Sequence, residues 1–178
     1  MQEEIRVLIE EEKLFARVKE LAEQVNRDYA GKELVFLCIL KGSVYFACEL
    51  SRHVTVPVQL EFIRVSSYGD GMVSSGKVKI DRGMDFEITG KHVMVVEDIV
   101  DTGRTLSRLL KELGKEKPAS LRLCALLNKP ECRVTEVPVD YVGFEVPDRF
   151  IVGFGLDYAQ KYRNLSFIGE LKFKEDRE

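Results

Sequence analysis

The 178-residue chain has only two histidines, His53 and His92, and neither sits in a glycine-rich loop. A histidine-based nucleophilic triad or a histidine zinc site is set aside on that count. Its four cysteines, Cys38, Cys48, Cys124 and Cys132, show no C-x-x-C spacing, and three stand within apolar segments. They read as reduced thiols of a cytoplasmic protein. No apolar run approaches a membrane span; the longest is Leu34 to Leu40. The N-terminus, Met-Gln-Glu-Glu-Ile, lacks the basic-then-apolar pattern of a secretory signal. A net charge of −3, without a dense Lys/Arg cluster, offers no field that would draw the chain to nucleic acid or an anionic membrane. Internal repeats and linkers are missing too, so residues 1–178 read as a single domain, long enough to bury a core. Apolar content of 45% against 32% charged is a globular balance and argues against long disorder.

What is present centres on residues 93 to 105, Val-Met-Val-Val-Glu-Asp-Ile-Val-Asp-Thr-Gly-Arg-Thr. Val93 to Val96 has the length and β-branching of a buried strand. Glu97 and Asp98 follow at its carboxyl end. The turn Asp101-Thr-Gly-Arg-Thr105 then leads into Leu106, Leu109, Leu110 and Leu113, spaced as one helical face. Gly114 suits a C-cap and Pro118 blocks continuation. In open α/β sheets, ligands bind where such turns leave the carboxyl ends of strands. Free N–H groups and the partial positive charge of a helix start suit a phosphate. The two acids upstream suit a sugar diol or Mg²⁺. In outline, this is a site for a phosphorylated sugar.

Elsewhere, Leu14, Val18, Leu21, Ala22 and Val25 make one stripe of a helix over 11–29, ended by Gly31. Residues 34–40 form a strand covered on both faces, followed by a tight Lys41-Gly42-Ser43 turn and a helix to about Arg52. Alternation from Val58 predicts a strand ending near Val65. Residues 66–77 hold Ser and Gly without a hydrophobic period and suggest a functional lid or a plain flexible connector. Short β-like pieces follow at 78–80 and 86–88, then strands at 121–127, 139–144 and 150–154. A short polar helix at about 158–163 and a segment at 167–173 close the chain. Gly153-Phe-Gly155 is no dinucleotide motif, because Tyr158 occupies the third glycine position. Strands alternating with helices point to an α/β fold with a mostly parallel central sheet flanked by helices.

The run ending in Glu-Asp-x-x-Asp-Thr-Gly-x-Thr closely resembles the phosphoribosyl-diphosphate signature of the type I phosphoribosyltransferases. Further segments resemble the hypoxanthine-guanine branch of that family: Leu40-Lys41-Gly42, Ser66-Ser67-Tyr68-Gly69, Lys129, Val146 to Gly153, Leu156-Asp157-Tyr158, and Tyr162-Arg163. They run in order from about residue 8 to 170. The resemblance implies a purine salvage transferase that moves the phosphoribosyl group from phosphoribosyl diphosphate to N9 of hypoxanthine or guanine. It implies a small hood built from the terminal segments, including 145–178, and a lid at 66–77 carrying Ser67 and Tyr68. Phosphoribosyl diphosphate would meet Lys41, Gly42, Glu97, Asp98, Asp101, Thr102, Gly103, Arg104, Thr105 and Arg163. Within that set, the turn amides and the hydroxyls of Thr102 and Thr105 would cradle the 5′-phosphate, while Lys41 and Arg163 grip the diphosphate. Asp101 would be catalytic, handling the proton at N7. Lys129 would donate to O6, Phe150 would stack on the base, and the Ile151 backbone would read its opposite edge. Mg²⁺ would be held by Glu97 and Asp98, with a second ion at Asp157 beside the purine. Leu40–Lys41 is expected to be a cis peptide, and the assembly a homodimer or homotetramer. The family often has an acid where Asn128 stands.

Other readings of the same residues stay open at this level. Lys129 is by default a surface lysine and Phe150 a core aromatic, and Asp157 with Arg163 suits a structural ion pair. For function, the alternatives are transfer to xanthine or a pyrimidine, or an RNA-binding pyrimidine-operon attenuator of similar fold. The last should carry a basic surface, which this composition does not suggest.

Overall fold

A strand that is apolar on both faces must be covered on both faces, and this requirement shapes the molecule. The computed structural model describes residues 2–67, 78–81 and 86–174. In chain order its elements are β1 (Gln2–Ile9), α1 (Glu11–Asp28), β2 (Leu34–Leu40), α2 (Val44–His53), β3 (Val58–Ser67), β4 (Val78–Asp81), β5 (His92–Val100), α3 (Arg104–Gly114), β6 (Ser120–Asn128), β7 (Tyr141–Glu145), β8 (Ile151–Val152) and β9 (Ile168–Lys174). A short 3₁₀ turn occupies Pro130–Cys132. The main sheet has the order β4-β3-β2-β5-β6-β7. Its last five strands are mutually parallel, and β4 runs antiparallel to β3 at one edge. A second, antiparallel sheet of β1, β9 and β8 forms the hood.

The alternation of side chains along β2 and β5 divides the core in two. Phe36, Cys38, Met94 and Val96 join the cluster that includes α1, α2 and the hood. Leu37, Ile39, Val93 and Val95 join the cluster beneath α3. The predicted leucine face of α3 does the covering, with Leu106, Leu109 and Leu113 buried. Each such side chain stabilises the fold by about 1.5–3 kcal/mol relative to exposure. On the other face α1 buries the predicted stripe Leu14, Val18, Leu21, Ala22 and Val25.

Several local expectations need correction. Residues 158–163 are not a helix. Tyr158 and Lys161 exchange backbone hydrogen bonds around Ala159 and Gln160, whose φ values are +48° and +66°. Two positive φ angles in succession make a two-residue hairpin turn, and no glycine announces it. Residues 86–88 are not a strand, and the strand foreseen at 150–154 is only Ile151–Val152. Gly114 is the last helical residue of α3, with Lys115 as its C-cap. β5 runs through the acidic pair to Val100 rather than stopping before it. β1 was not foreseen; its apolar residues acquire a partner only when β9 returns beside it. Ser66 and Ser67 complete β3, while the rest of the expected lid, 68–77 with Tyr68, lies outside the described residues.

Candidate active site

Because β3, β2, β5, β6 and β7 are parallel, their carboxyl ends share one edge of the sheet. Lys41-Gly42, the 97–105 segment, Lys129 and the 146–151 segment all leave from that edge. There Asp101, Thr102 and Gly103 turn the chain from β5 into α3. Gly103 has φ +78°, and a Cβ at this position would run into the carbonyl of Thr135, so only glycine fits. From behind, the amides of Val134 and Thr135 both donate to the Thr102 carbonyl at 3.0 Å. Among the described residues, no backbone hydrogen bond takes the amides of Thr102, Gly103, Arg104 or Thr105. They stay available at the positive end of a helix. The adjoining cleft, about 350 Å³, is lined by Ile39, Val65, Glu97, Asp101, Thr102 and Thr105 among others. A cavity of about 580 Å³ opens at the opposite edge, beside Gly31, Pro57 and Lys91, and contains none of the predicted residues.

Burial pushes the Glu97 carboxyl well above its usual range, and the neighbouring Asp98 charge pushes it the same way. Asp98 accepts from the Ile99 amide at 2.8 Å and stands against Gly42. The Leu40–Lys41 peptide is cis, as the resemblance implied. Lys41 Nζ donates to Gln160 Oε1 at 3.1 Å, and Arg163 Nη2 reaches the same oxygen at 3.5 Å. The two cations assigned to the diphosphate therefore meet on one side chain. Arg163 also pairs with Asp157 at 2.6 Å and donates to the Gly155 carbonyl at 2.6 Å. The second oxygen of Asp157 accepts from the Gln160 amide at 2.8 Å. The ion-pair alternative for Asp157 and Arg163 thus describes a real contact, made across a hairpin rather than a helix.

Lys129 and Phe150 reverse their default positions. The lysine is buried, 8% exposed, and its Nζ donates to the Arg149 carbonyl at 2.7 Å, with Asp148 at 3.4 Å. Buried charge needs such partners, and they aim the ammonium along the 146–151 segment. Phe150 is 49% exposed, an aromatic left on the surface beside a buried cation. Tyr158 meets it edge-on, with centroids 5.5 Å apart and planes at 88°. Ile151 pairs with Glu170 in the hood, and the Phe150 carbonyl accepts from Leu171. Burial first, then the neighbouring Asp148 and Asp101 carboxylates, push the Cys132 thiol up to about 11.

Sequence reasoning missed Gln160, Asp148, Arg149 and Cys132. Each gains its place from a partner tens of residues away or from a turn without glycine, so no local pattern marks them.

Comparison with known proteins agrees with this geometry. A family profile described as the phosphoribosyl transferase domain matches residues 8–159. A hypoxanthine phosphoribosyltransferase of Haemophilus influenzae is 46% identical over 96% of this chain and 97% of its own length. A hypoxanthine-guanine phosphoribosyltransferase of Streptococcus thermophilus is 47% identical over 94% and 93%. The crystal structure of a hypoxanthine-guanine phosphoribosyltransferase from Bacillus anthracis superposes with a TM-score of 0.88 at 47% identity, covering 97% of this chain and 100% of that one. With the family profile over most of its length and relatives at 46–47% identity across nearly all of it, the chain belongs to the phosphoribosyltransferase family, in its hypoxanthine phosphoribosyltransferase group.

Proposed function

We propose that the protein transfers the 5-phosphoribosyl group of phosphoribosyl diphosphate to N9 of hypoxanthine or guanine, yielding the nucleoside monophosphate and diphosphate. The observation that carries this reading is the meeting, at one sheet edge, of an amide-rich helix start, an acidic pair and a buried lysine beside an exposed phenylalanine.

In this reading the Asp101–Thr105 turn holds the 5′-phosphate through its free amides and the Thr102 and Thr105 hydroxyls. Arg104, exposed at the first helical position, adds positive charge nearby. Lys41 and Arg163 exchange their shared Gln160 oxygen for those of the diphosphate, with Gly42 giving the backbone room to approach. Glu97 and Asp98 hold the ribose hydroxyls. Lys129 donates to O6, Phe150 stacks on the base and the Ile151 backbone reads its opposite edge. Departure of diphosphate leaves positive charge on the sugar ring, and Asp101 governs the N7 proton as the base attacks.

The Glu97–Asp98 pair suits Mg²⁺, since a divalent cation relieves two adjacent carboxylates of which one is already forced toward its neutral form. Mg²⁺ held there supplies positive charge to the leaving diphosphate. Asp157 suits a cation less well, because Arg163 and the Gln160 amide engage both its oxygens. Four unpaired cysteines are consistent with a reducing cytoplasm, and we place the protein there as a homodimer or homotetramer.

The test is release of diphosphate from phosphoribosyl diphosphate with Mg²⁺ on adding hypoxanthine, guanine, xanthine or uracil. Release with hypoxanthine or guanine, and none with uracil, is expected. Release with uracil alone, or with no base, removes the reading.

A further inference from the structure

Arg133 stands behind the phosphate turn with its charge uncompensated. Its Nη2 donates to Oδ1 of Asn128, a buried side chain at the end of β6. Its Nη1 is buried and has no partner among the described residues. None of the carboxylates described there forms an ion pair with it. The stem of the side chain lies against the turn: a Cβ on Gly103 would come within 3.1 Å of Arg133 Cδ. The two residues after it, Val134 and Thr135, are those whose amides fix the Thr102 carbonyl.

Arg133 is half-buried, with Nη1 fully enclosed; a guanidinium so placed is costly without an anion, and a carboxamide supplies a dipole but no charge. The nearby structure that accepts an anion is the turn itself, whose amides at 102 to 105 remain free. We propose that the phosphate bound by this turn is the counter-ion of Arg133. Arg133 is then a positioning residue that strengthens phosphate binding through the turn without touching the ligand. Asn128 holds the guanidinium while leaving its charge available. An acid at 128 would hold it equally well and quench that charge. The inference rests on the phosphate role given to the turn under the proposed function.

The experiment measures Kd for inosine 5′-monophosphate and for inosine on wild type, Asn128→Asp and Arg133→Met. The ratio of the inosine Kd to the monophosphate Kd isolates the phosphate. In Asn128→Asp the ratio should fall roughly 3–10-fold and vary less with salt, while the melting temperature holds or rises. Arg133→Met should lower it at least as far; if that variant does not fold, Asn128→Asp carries the test alone. A purely structural Arg133 predicts the opposite sign, because a stronger pair at 128 would preserve or raise the ratio. An unchanged or raised ratio in Asn128→Asp, with a large wild-type ratio, overturns the inference and leaves the proposed function intact. A wild-type ratio near one overturns both.

Discussion

Gly42 and Asp98 share one volume: a Cβ added to the glycine would overlap Oδ2 of the carboxylate. The turn after β2 and the acidic pair of β5 are therefore fitted to each other, although 55 residues separate them. Gly42→Ala must displace the acid or the turn. Overpacking of this kind costs about 1–3 kcal/mol in stability, and misplacing catalytic groups by an ångström can cost about 10²-fold in rate. A lower melting temperature and at least a tenfold loss in kcat/KM for phosphoribosyl diphosphate are expected. Wild-type values for both would show that the two groups do not abut.

Asp101 is exposed at the turn, where a base can reach it. Asp101→Asn should lower kcat by about 10²–10⁴, the range for a lost acid or base, with phosphoribosyl-diphosphate affinity nearly intact. Binding and single-turnover measurements separate the two. Collapsed affinity with surviving kcat would make Asp101 a binding residue.

Much of this was legible in the sequence wherever function and fold both act locally. The strand, acids, turn and leucine face of residues 93–113 are contiguous, so one window of the chain shows them all. Gly103 could be placed because its backbone demands glycine. Contacts made by chain return could not be seen. Lys129 is buried because Asp148 and Arg149 come back over it, and Gln160 joins Lys41 to Arg163 across 119 residues. The 158–161 turn misled the helical reading because Ala159 and Gln160 accept positive φ without the glycine or asparagine that normally signals it.

Cys132 is partly exposed, yet burial and the Asp148 and Asp101 carboxylates beside it push its thiol up to about 11. Alkylation by iodoacetamide at pH 8 should run about two orders of magnitude slower than for an ordinary thiol of pKa near 8.5. The rate should climb as pH approaches 11. Mass spectrometry of the tryptic peptide reads it, and fast labelling at pH 8 would contradict the contact.

At the far edge of the sheet, Asp28 accepts from Tyr141 at 2.6 Å and from Arg122 at 3.1 Å. The tyrosine hydrogen bond, then the Arg122 charge, hold its carboxyl below the usual 3.8 against the opposing effect of burial. A depressed folded pKa stabilises fully above the unfolded value and is lost as pH falls through the folded one. Asp28→Asn should therefore melt below wild type by a constant margin from pH 7 to 5, and the margin should shrink below about pH 3.8. A margin that persists in full at pH 2 would show that ionisation of Asp28 contributes nothing.

In the proposed transfer a buried cation, Lys129, reads the 6-oxopurine. Lys129 offers donors and no acceptor, so it suits O6 of hypoxanthine and guanine and faces the amino group of adenine unpaired. Sites built on such a bond reject the mismatched ligand by roughly 10⁴–10⁵, and stacking on Phe150 cannot, since every base has a face. The deciding measurement is kcat/KM for hypoxanthine and adenine in wild type and Lys129→Ala. Adenine should be rejected by about that factor in wild type, and the variant should lose hypoxanthine use without gaining adenine. Comparable wild-type values for the two bases would mean that Lys129 does not read O6.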